Sequence, residues 1–154
     1  MLILIVTHEG SPWLEVPDTT YPVLIHRNPA KNSGYEVAAL IEAFHNTDYE
    51  SVLCLQDSVR VKDTDIFRLA DEKYKDKSVH LVTRGQCYLT KYQWEDWEYK
   101  VLPKITVPSN KMDAVRLETQ VPGLLGDIPT IDPNWADTPD REDFYGQERM
   151  VIQN

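Results

Sequence analysis

Four short polar clusters stand directly after apolar runs, and they are where this chain could do chemistry. Thr7-His8-Glu9 follows the run at residues 2–6, and His26-Arg27-Asn28 closes the run at 22–26. Gln56-Asp57-Ser58 follows 51–55, and Thr83-Arg84 closes 79–83. A carboxylate that emerges straight from a buried run, as Asp57 does after Val52-Leu53-Cys54-Leu55-Gln56, can hold Mg²⁺ or Mn²⁺ against a diphosphate. Such cations keep several waters and take one or two protein carboxylates together with the substrate's phosphates. The other reading of Asp57 is local, because Asp is also a common turn residue.

The elements that must position these clusters alternate in type. Residues 2–6 are continuously apolar and partly β-branched, as expected of a strand buried on both faces. Pro12 and Pro17 keep the next stretch irregular until a second strand at 22–26, and Asn28-Pro29 marks a turn. Ser33 and Glu36 have capping-box spacing ahead of Val37, Leu40, Ile41 and Phe44, a single apolar stripe, and Asn46-Thr47-Asp48 closes that helix. A third strand at 51–56 precedes Asp63-Thr64-Asp65, which suits a helix N-cap for Ile66, Leu69 and Ala70. A fourth strand covers 79–83. This order predicts an α/β layered fold with a largely parallel sheet, in which ligands sit outside the carboxyl ends of the strands.

Beyond residue 100 the texture changes, and six of the ten prolines fall there. Residues 121–139 are nearly all turn chemistry, the mark of a lid or binding loop. A final helix is expected over 140–152. With 154 residues the chain is expected to be one domain, with an α/β part at 1–100 and an irregular, Pro-rich remainder at 101–154 ending in that helix.

Composition narrows the partners. The formal net charge is −9, and residues 1–50 hold two basic against seven acidic side chains. Bulk nucleic-acid binding relies on a continuous basic surface that this chain does not supply. The apolar opening is too short for a signal peptide or a membrane span. Two cysteines without a CxxC fit a reducing cytoplasm and argue against a disulfide framework or a four-cysteine zinc site. Walker A, GxGxxG, HExxH, GxSxG and EF-hand patterns are absent. His45 and His80 lack a partner at ligand spacing. Tyr88, Tyr92, Trp94, Trp97 and Tyr99 could form a sugar-stacking platform, although such a cluster is more often core. Trp135, inside a Pro/Asp loop, could anchor the loop or meet an acceptor.

The layout of residues 1–100 resembles the GT-A glycosyltransferases. The matching pieces are the opening strand ending at Thr7, the second strand running to Asn28, Asn32-Ser33-Gly34 opening the first helix, and Leu53-Cys54-Leu55-Gln56-Asp57-Ser58 in the place of an acidic metal-binding motif. The second acidic position of that motif is Ser58 here.

The resemblance implies a Rossmann-like layered sheet with helices on both faces. It also implies transfer of a sugar from a nucleotide-sugar donor to an acceptor hydroxyl. Thr7 and His8 would line the base and ribose pocket, Arg27 would sit near the nucleotide, and Asn32 and Gly34 would approach its phosphates. Arg84, at the fourth strand end, belongs to the same nucleotide-binding group, and Asp57 would hold Mn²⁺ or Mg²⁺. Glu142 and Asp143 resemble the acidic pair where inverting members place the catalytic base. In a first helical turn such acids also stabilise the macrodipole with no further role. Two other readings stand beside this one: a catalytically inactive α/β binding or assembly module, and another nucleotide-processing enzyme such as a nucleotidyltransferase.

Overall fold

Leu2, Ile3, Leu4, Ile5 and Val6 are all buried, and they form most of strand β1 (Leu2–His8). The computed structural model describes residues 1–30, 34–75, 77–80, 86–100, 107, 109–110, 112–113 and 136–137. Strand β1 lies between β2 (Val23–Asn28) and β3 (Ser51–Gln56), and both pairings are parallel. Next to β3 comes β6 (Cys87–Thr90), antiparallel to it, and β6 pairs antiparallel with β5 (Val79–His80) at the far edge. The sheet order is β2-β1-β3-β6-β5. The sheet is therefore mixed, which corrects the largely parallel sheet expected from the element order. The strand at 79–83 was legible only as a run of apolar residues, and the antiparallel strand inserted beside it was not. Of that run, residues 81–83 lie outside the described residues.

Alternation along the strands divides the core in two. Leu2, Leu4, Val6, Val52, Cys54, Cys87 and Leu89 share one cluster with α1 (Tyr35–Asn46) and α3 (Lys91–Lys100). Ile3, Ile5, Leu53, Leu55 and Tyr88 share the other with Ile66, Phe67 and Ala70 of α2 (Asp65–Lys73). Helices thus cover both faces, as expected. Among the described residues, no helix is long and apolar enough to cross a membrane.

Local chemistry explains the helix ends, with one correction. Gly34, not Ser33, occupies the N-cap of α1, at φ 70° and with no side-chain cap hydrogen bond. Glu36 is buried and accepts a hydrogen bond from Gln56 Nε2, a helix-to-sheet contact, and Ser33 lies outside the described residues. At the other end, Thr47 Oγ1 donates to Ala43 O at 2.5 Å and satisfies a last-turn carbonyl. In α2 the N-cap is Thr64, which makes no side-chain cap bond, and the preceding Asp63 Oδ1 accepts from Asp65 N at 3.0 Å. Thr90 caps α3, its Oγ1 accepting from Gln93 N at 3.2 Å.

The aromatic cluster resolves into two roles. Tyr88, Trp94 and Trp97 are core, while Tyr92 and Tyr99 are exposed. Phe44 of α1 stacks on Trp94 with ring centroids 5.2 Å apart and planes 9° from parallel. His45 meets Glu98 at 2.6 Å, so it links α1 to α3 at the surface. A two-stranded ladder completes the described structure: β4 (Arg60–Val61) pairs antiparallel with β7 (Ala136–Asp137). This draws part of the 121–139 segment against the strand that follows Asp57.

Candidate functional site

Strands β1, β2 and β3 run in one direction, so their carboxyl ends meet at one edge of the sheet. Register sets the rows there. Thr7 lies opposite Arg27, His8 opposite Asn28, and Val6 opposite Gln56. Asp57 N donates to Val6 O at 3.0 Å and extends the β1–β3 pairing by one step. By alternation, Arg27, Thr7 and Asp57 share the face of Ile3, Ile5 and Leu55, opposite α1.

Asp57 is the hub of this row. Its Oδ2 accepts from Thr7 Oγ1 at 2.7 Å and from Ser11 Oγ at 2.5 Å. Ser11 is presented by a turn after β1, in which Ser11 N donates to His8 O at 3.1 Å and Gly10 has φ 82°. A residue with positive φ at that place costs glycine little and other residues much. Asp57 also lies within a turn of its own, closed by Val59 N donating to Gln56 O at 3.1 Å. Asp57 therefore belongs to a turn, and its carboxylate ties that turn to the end of β1 and to the segment that follows it.

On the α1 side of the same edge lies a second polar group. His26 Nδ1 contacts Glu42 Oε2, and its Nε2 meets Asn28 Oδ1 at 2.9 Å. Asn28 Nδ2 in turn donates to Tyr35 O at 3.3 Å. That last bond fixes which end of the amide faces His26, so both ring nitrogens point at acceptors. Asn28 is buried, and it holds Tyr35 at a strained φ of 49°. A Cβ on Gly34 would come 2.1 Å from Asn28 Oδ1, so this glycine is needed for the approach of α1 to β2. Further in, Gln86 is buried and its Oε1 accepts from Gln56 N at 2.7 Å.

His8 lies beside Asn28 and, by alternation, on the α1 side of this edge. Its Nδ1 donates to Glu9 O at 2.9 Å, which leaves the Nε2 lone pair as an acceptor. That atom is shielded from solvent and has no donor among the described residues.

The structure therefore brings Thr7, His8, Arg27, Gly34 and Asp57 to one sheet edge, with Arg27 exposed. Asn32, Arg84, Glu142, Asp143 and Trp135 lie outside the described residues. Ser11, Glu36 and Gln86 were not foreseen. A Gly-Ser pair just past a strand end was the available signal for Ser11, and nothing in the sequence marked Gln86. Among the described residues, no group of three or more His, Cys, Asp or Glu side chains could hold a metal ion. Asp57 brings one carboxylate to this edge, and two hydroxyls of its own chain donate to it. Neither family models, curated proteins nor solved structures give a match to this chain.

Proposed function

We propose that the chain is a GT-A-type glycosyltransferase domain that holds a nucleotide-sugar across the carboxyl ends of β1, β2 and β3. The observation that carries this reading is the row Arg27–Thr7–Asp57 on adjacent parallel strands. It sets a cation, a hydroxyl and a carboxylate side by side where open α/β sheets bind ligands. Arg27 would pair with the diphosphate, since its planar fork of donors matches phosphate oxygens. His8 Nε2, a shielded acceptor, would take a donor from the base or ribose. Asn32, Gly34 and Arg84 complete the proposed nucleotide-binding group.

Mn²⁺ or Mg²⁺ on Asp57 would neutralise charge on the departing diphosphate. The acceptor oxygen would attack the anomeric carbon while the bond from that carbon to the diphosphate breaks. Glu142 or Asp143 would take the acceptor's proton. The free cysteines, both buried, suit work in a reducing compartment such as the cytoplasm.

A second reading rests on one observation. Asp57 Oδ2 already serves two hydroxyls of its own chain, which suits a binding or assembly module that keeps the frame without catalysis.

Thermal shift against UDP, GDP, CDP and TDP, with and without Mn²⁺, tests the proposal. Selective stabilisation by one base, lost in Asp57→Ala and reduced in Arg27→Ala, is the expected result. No response to any nucleotide at millimolar concentration removes it in favour of the module. Release of a nucleoside diphosphate from a cognate donor identifies transfer chemistry, whereas cleavage within the diphosphate identifies a nucleotidyltransferase.

A further inference from the structure

Two thiols distant in sequence face each other inside the sheet. Cys54 of β3 lies directly opposite Cys87 of β6, at the last rung of that ladder. Both are free, both are fully buried, and both side chains belong to the α1-side cluster. Directly opposed residues of an antiparallel pair have Cα atoms about 4.5 or 5.5 Å apart, depending on the type of pair. A disulfide accepts Cα separations of about 4.4–6.8 Å. The register therefore brings the backbone into the bonding range already.

We propose that Cys54 and Cys87 are a redox-active pair that closes into a cross-strand disulfide when the chain meets a peroxide. One thiolate attacks the peroxide and becomes a sulfenic acid, releasing one oxygen as hydroxide or water. The partner thiolate then attacks that sulfur and releases the second oxygen as water. Two thiols are oxidised to one disulfide, and one hydrogen peroxide is reduced to two waters.

Burial sets the pace. Attack needs a thiolate, so the reaction proceeds through opening of the ladder's last rung, where strand ends fray first. The bridge would fasten β6 to the strand that leads into Asp57. Gln86, next to Cys87, already accepts from Gln56 N, so the closed pair would stiffen the candidate site. The inference itself is independent of sugar transfer, because its readout is thiol chemistry alone.

The full chain is incubated with hydrogen peroxide, then denatured for thiol titration and mapped as non-reduced peptides. The expected result is loss of both titratable thiols and a single linked peptide joining Cys54 to Cys87, reversed by dithiothreitol. Tm should rise by about 4–12 °C. Cys87→Ala should give neither the linked peptide nor the Tm rise. Disulfide-linked dimers, stepwise oxygen addition at separate thiols, or two thiols that both persist through days of peroxide exposure would each overturn the proposal.

Discussion

Gly34 shows how a single residue joins the candidate site to the frame. Its φ of 70° disfavours any side chain, and an added Cβ would fall 2.1 Å from Asn28 Oδ1. That oxygen cannot swing aside at little cost, since Asn28 is buried between His26 and the Tyr35 carbonyl. Gly34→Ala should therefore destabilise the fold by about 2–4 kcal/mol, from backbone strain plus a broken polar chain. Urea denaturation reads the loss, and a change under about 0.5 kcal/mol would mean that the Asn28 contact yields freely. Cys54 gives a pH dependence at the same scale. Its hydrogen bond with Cys87 and then its burial push its thiol well above the ordinary range. Above about pH 8.5 the unfolded chain releases a proton that the folded chain retains, so stability falls as pH rises. Each added pH unit costs up to about 1.4 kcal/mol from this group. Denaturation midpoints across pH 7 to 10 (about the window of interest) should fall less steeply in Cys54→Ala than in the parent.

Among elements, the docking of α3 on α1 has a single aromatic keystone. Trp94 stacks on Phe44 and lies 5.5 Å from Trp97, ring centre to ring centre. Trp94→Ala should cost about 3–5 kcal/mol through lost burial and an unfilled cavity. Tyr92→Ala, on the exposed side of the same helix, should stay within about 0.5 kcal/mol. Equal losses at both positions would require a partner surface over Tyr92. The contrast also explains what could be read in advance. Strands β1 and β3 announce themselves as unbroken apolar runs between turn residues, and α1 as a stripe at helical spacing. Strand β6 and α3 do not, because Thr90 ends one and caps the other without an intervening turn. The sequence spacing of aromatics cannot say which of them face inward until the sheet order is known. The same holds for the site. Asp57 is legible because it follows a buried run, whereas its bond to Ser11 joins residues 46 apart, and no local pattern encodes that contact.

At the scale of the whole molecule, charge opposes the proposed ligand. The chain carries −9, and Arg27 is the one Lys or Arg in β1 and β2, the two strands that lead to the edge with β3. A nucleoside diphosphate must then approach a repulsive field and be held by a few placed groups rather than by a basic surface. Screening shortens the reach of that field from about 30 Å at 10 mM salt to about 8 Å at 150 mM. Added salt should therefore leave the association rate of the diphosphate unchanged or raise it, the reverse of a binder that relies on counterion release. Stopped-flow association with a fluorescent nucleoside diphosphate, across that range at fixed Mn²⁺, measures the slope. A steep fall in rate with salt would require an attractive basic surface at the point of entry. Such a surface could not be built from the described ends of β1, β2 and β3, so the ligand would be entering somewhere other than the row that Asp57 organises.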